Sequence, residues 1–112
     1  MLNRLFAEGK SFSIFPVKVF YLPMNNDSKQ IINAGVGVSA RNFKKAVDRN
    51  RIKRLLRECY RLNKMSLQST ITTHHKPMAV FFLYLGKELP EYGLLTEKMK
   101  TVLNKLEEII VR

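Results

Sequence analysis

Residues 41–64 read RNFKKAVDRNRIKRLLRECYRLNK. They hold ten of the chain's 20 Lys and Arg residues and two acids, Asp48 and Glu58. Each helical residue turns by about 100°. On that count Arg49, Lys53, Arg57 and Arg61 recur every four residues, with Asn50 and Arg54 beside them, and cover roughly 140° of one side. Ile52, Leu55, Leu56, Cys59 and Leu62 cover roughly 120° of the other. The apolar side anchors the helix. Glu58 is the only acid between Arg49 and Lys64, so local ion pairs cannot neutralise the basic side. A merely solvated face would intersperse Glu and favour Lys. Arg outnumbers Lys here, and its planar fork suits phosphate and stacks on bases. The chemistry is the binding of a polyanion.

No other group points to catalysis. The sequence has no paired carboxylates in a nuclease motif and no metal-ligand spacing. His74 and His75 are adjacent in a polar stretch, where such a pair is usually solvated. Cys59 falls on the apolar helix side, where a buried thiol is inert. Asp48, near a helix start, is a dipole-friendly residue rather than a metal ligand. The glycines of GVGV lack the lysine and spacing of a phosphate-binding loop.

The elements that position these residues follow from pattern. With 112 residues, 46% of them hydrophobic, the chain fits one domain with one core. Its net charge of +11 is uneven: residues 41–64 carry +8 and the other 88 residues +3, which fits an anionic partner. One cysteine and no apolar run near the roughly 18 residues of a membrane span fit a soluble protein of a reducing cytoplasm. The first residues lack the apolar region of a secretory signal.

Residues 2–8 have helical spacing, with Gly9 as a stop. FSIFPVKVFYL (12–22) reads as one strand, at an edge or interrupted at Pro16. IINAGVGVS (31–39) is a second strand, its glycines allowing close approach. The basic helix follows; Phe43, Ala46 and Val47 lie outside its later register, so it starts near Asp48 or its first turn packs elsewhere. SLQSTITTHHK (66–76) reads as a polar connection. PMAVFFLYLG (77–86) is a buried central strand, and residues 95–111 form an amphipathic helix with Thr96 as its cap. The order is α-β-β-α-β-α, an α+β fold.

At AVDRNRIKRLLRECYRLNK the chain resembles the protein subunit of bacterial ribonuclease P. LFAEGKS before a strand, GVGVS before the basic helix and the closing strand and helix extend the resemblance over essentially the whole chain. It implies an α-β sandwich like domain 2 of ribosomal protein S5, with a left-handed β-α-β crossover around the basic helix. The general rule for such crossovers is the opposite hand. It also implies two partners, a catalytic RNA and precursor tRNA, with hydrolysis by the RNA using Mg²⁺ and no cofactor on the protein. Arg49, Asn50, Arg51, Lys53, Arg54, Arg57 and Arg61 would face RNA, with Arg41, Lys44 and Lys45 ahead of them. Phe6, Phe15, Lys18 and Phe20 would line a cleft for the single-stranded 5′ leader.

The chain departs from the family in two places. Ala40-Arg41 and NFKK replace a Lys-Lys or Lys-Arg pair and a glycine-containing loop, and the basic segment ahead of the first helix is short. A generic structured-RNA protein is the alternative reading. A DNA-binding helix lacks a helix-turn-helix partner, and a membrane-surface helix lacks interfacial Trp.

Overall fold

A computed structural model describes residues 9–24 and 32–112. The expected first helix, with Phe6, lies outside the described residues. In order come β1 (Lys10–Ile14), β2 (Val17–Pro23), β3 (Ile32–Val38), α1 (Ala46–Asn63), α2 (Met65–His74), β4 (Met78–Tyr84) and α3 (Tyr92–Val111). The strands form one sheet in the order β1-β2-β4-β3. β1 and β2 pair antiparallel, as do β2 and β4, whereas β3 and β4 run parallel. The β3-to-β4 connection carries α1 and α2, so the basic helix sits inside a β-α-β crossover. Mixed α+β architecture is what the sequence implied.

Alternation explains the layering, because residues two apart share a sheet face. Val17 and Val19 of β2 and Met78, Val80, Phe82 and Tyr84 of β4 join one buried cluster with Ile52, Leu56 and Cys59 of α1. Leu67 and Ile71 of α2 and Leu95, Met99, Val102 and Leu106 of α3 complete it. β4 is central, as its continuous apolar run requires, and only three of its seven side chains face away from the helices.

One expectation sharpens and three change. The interruption allowed at Pro16 within 12–22 is a complete reversal at Phe15-Pro16 into two paired strands, because proline cannot donate to a ladder and suits a turn. The polar stretch 66–76 is mostly helix α2. Its two well-spaced apolar residues, Leu67 and Ile71, are fully or almost fully buried and suffice to dock it. α3 begins three residues early, with Glu91 at the N-cap, so Thr96 lies inside the helix, its Oγ1 3.3 Å from Cys59 Sγ. Leu62 is 52% exposed, because α1 seats on Ile52, Leu56 and Cys59 and turns the edge of the stripe outward.

Candidate nucleic-acid interface

α1 starts at Ala46, ahead of the register break, with Asp48 in its first turn. Its lead-in loop divides its labour. Phe43 is buried against Tyr84, ring centroids 6.1 Å apart. Asn42 Nδ2 donates to the carbonyls of Leu85 and Gly86 at 3.1 and 3.3 Å. The unusual Asn-Phe pair is thus an anchor, and Arg41, Lys44 and Lys45 on either side of it are exposed.

Along the helix, Asn50, Arg51, Arg54 and Arg57 are exposed and Lys53 is half-buried. Arg49 differs: its Nη1 donates at 2.8 Å to the carbonyls of both Phe43 and Lys44. It ties the loop to the helix. Replacing Arg49 with Ala is therefore expected to lower unfolding free energy by about 1–3 kcal/mol, measured by urea denaturation. An unchanged midpoint would make Arg49 an ordinary surface cation. Arg61 donates to both carboxylate oxygens of Glu58, Nη2 at 2.6 Å and Nε at 3.2 Å. That contact holds the Glu58 carboxyl below its ordinary range. The one acid between Arg49 and Lys64 is therefore paired with one arginine of the row, in an exposed contact. Burial pushes the Cys59 thiol up, consistent with an inert core residue.

A second surface lies on the sheet face away from the helices. Phe20 and Phe81 are direct cross-strand partners there, and Lys18 Nζ stands 5.1 Å from the Phe20 ring centroid. Register places Ser11, Ser13, Asn33, Gly35 and Gly37 on the same face. The glycines have a steric reason: a Cβ on Gly37 would lie 2.6 Å from Phe81 Cζ, and one on Gly35 3.1 Å from Cδ2. They let the Phe81 ring lie across β3. Phe81 read as core from sequence alone, because its run is uniformly apolar; only register sets it apart from fully buried Phe82. Phe15 sits in the β1–β2 turn, 71% exposed, and does not join Phe20 on this face. Phe6 is outside the described residues.

His74 and His75 close α2: a His74 ring nitrogen lies 3.0 Å from the Thr70 carbonyl, and His75 takes a left-handed C-cap conformation, φ 52°. Among the described residues no cluster of His, Cys, Asp and Glu could hold a metal, and no helix is long and apolar enough to cross a membrane.

A basic helix and a paired-aromatic sheet face on one scaffold define an α+β protein built to bind nucleic acid. The Ribonuclease P family model matches residues 2–107. The ribonuclease P protein component of Porphyromonas gingivalis is 32% identical over 94% of this chain and 77% of its own length. That of Chlorobium phaeobacteroides is 31% identical over 95% and 80%. The chain belongs to the ribonuclease P protein family, the RNA-binding component of a tRNA-processing ribonucleoprotein. Membership implies partnership with the RNA of ribonuclease P. The fold agrees: a structure of the RNase P protein from Thermotoga maritima superposes with TM-score 0.71, 24% identity and 93% and 89% coverage. One from Staphylococcus aureus gives 0.68, 20%, and 95% and 81%.

Proposed function

We propose that this protein holds the catalytic RNA with the exposed cations of α1 and its lead-in loop and receives the 5′ leader of precursor tRNA on the far sheet face. Arg51, Lys53, Arg54 and Arg57, with Asn50, neutralise phosphates and lower the repulsion between two RNAs. Arg41, Lys44 and Lys45 extend that surface, while Arg49 and Arg61 commit donors within the protein. The leader enters over Phe20 and Phe81, where bases stack with little sequence preference, and Lys18 meets a phosphate. Hydrolysis belongs to the RNA with its Mg²⁺, and the protein positions substrate.

The observation that carries this reading is the pairing of Phe20 with Phe81 beside Lys18, on the opposite side of the sheet from the helices. The test is cleavage of precursor tRNA by catalytic RNA at low Mg²⁺, with and without this protein. Unaltered turnover and Mg²⁺ requirement would reject the assignment and favour a generic RNA binder. Within that assay Phe20→Ala is expected to weaken binding of precursor tRNA by about tenfold and leave mature tRNA unchanged, since stacking one base contributes about 1–3 kcal/mol. Equal losses for both would remove Phe20 from the leader site.

A further inference from the structure

We propose that the gap between α1 and strand β3 is a slot for one unpaired RNA base, a site separate from the Phe20–Phe81 face. The inference rests on the RNA partnership argued above. The helix-facing residues of β3 are Ile32, Ala34, Val36 and Val38, and Ala34 is the small one. Opposite it Tyr60 leans over Phe82, ring centroids 5.5 Å apart. The result is an opening of about 150 Å³ lined by Ala34, Gly35, Val36, Arg57, Tyr60 and Phe82. A void of about that size takes a single six-membered ring, so a pyrimidine suits it better than a purine.

The lining has the chemistry of a base site. Tyr60 supplies π surface above the buried Phe82 ring, and the small Ala34 side chain leaves room beside it. Arg57 is exposed and supplies a charge for the adjoining phosphate. The Tyr60 hydroxyl is shielded from solvent and has no hydrogen-bond partner. A fold is destabilised by a buried unpaired hydroxyl, and such groups call for a reason. A base edge offering a carbonyl or amino group would satisfy it, the hydroxyl being both donor and acceptor.

The slot also gives a reason for a tyrosine at this position. Its neighbours one turn away on α1 are Leu56, Arg57 and Asn63, and a phenylalanine would pack on Phe82 equally well. The hydroxyl makes no hydrogen bond within the protein, and a ligand in the slot would supply one.

The experiment uses the reconstituted ribonucleoprotein with Tyr60→Phe and Ala34→Leu, the second filling the slot from an exposed position. Both variants are expected to remain folded, with Tyr60→Phe at least as stable as the parent to urea. Affinity is then measured for the catalytic RNA, for precursor tRNA and for mature tRNA. Each variant is expected to lose about tenfold against one RNA, as for one stacked base. A loss confined to precursor tRNA assigns the base to the leader; a loss against the catalytic RNA alone assigns it there. A single abasic nucleotide at the responsible position should reproduce the loss in the parent and add nothing in Ala34→Leu. Parental affinity of both folded variants for all three RNAs would overturn the slot. That result is distinct from a parent protein that fails to alter cleavage, which would overturn the functional reading itself.

Discussion

Phe82→Ala is expected to remove about 3–5 kcal/mol of unfolding free energy, the range for truncating a buried aromatic. Phe82 is wholly buried at the middle of the central strand, beside Val19 of β2 and Val36 of β3. On α1, Tyr60 stacks near it at 5.5 Å. Removing the ring strips one layer of the core from both neighbouring strands and from the basic helix above. The stability of small domains lies at about 5–15 kcal/mol, so the loss would be a large share of the total. The urea midpoint should fall with little change in slope. A loss under about 1 kcal/mol would mean that the sheet and α1 collapse into the space, and the seating of the helix would need another account. Phe81→Ala, one residue away on the other face, is expected to affect stability less.

The second large effect concerns charge. Replacing Arg51, Arg54 and Arg57 together with Ala is expected to weaken binding to the catalytic RNA by about a hundredfold at 0.15 M salt. Each phosphate contact contributes a slope of about −0.9 to the logarithmic salt dependence on duplex DNA and about −0.7 on single strands, and a structured RNA is a comparable polyanion. Three lost contacts should flatten that slope by about 2–3. Folding should be unaffected or slightly improved, because 51–54 and 54–57 are like-charge pairs at i, i+3 on one helix. Affinity measured from low to high salt, with parallel denaturation curves, separates the two effects. An unchanged salt slope would exclude α1 as the phosphate-binding element. Arg49→Ala, in contrast, should register chiefly in stability, since its donors are already committed to the Phe43 and Lys44 carbonyls.

Much of the site was legible because α1 is a strongly periodic element. Ile52, Leu56 and Cys59 are buried and Arg54, Arg57 and Arg61 opposite them exposed, as angle alone required. The central strand was legible from its unbroken apolar run, and the crossover from the family resemblance. What misled were weak local signals overridden by packing. Leu67 and Ile71 carry α2 despite nine polar or cationic neighbours between Ser66 and Lys76. The helix expected from 95 has already begun at Tyr92, with Gly93 inside it. Glu58 looked too solitary to matter, yet an i, i+3 geometry lets it occupy Arg61.

Composition and periodicity by themselves determined that this chain carries an amphipathic helix with one strongly basic face, and the Arg-Asn-Arg context pointed to its family. They act within a single element, where spacing alone sets which side chains share a side. Tertiary structure alone decided that Phe20 meets Phe81 while Phe15 stands apart, that Gly37 makes room for a ring, and that Arg49 faces inward to its own loop. The first two depend on strand register, a matter of contacts between residues far apart in the chain, and the third on how the lead-in loop folds back onto its helix. A one-residue slip would exchange every such partner between the two faces.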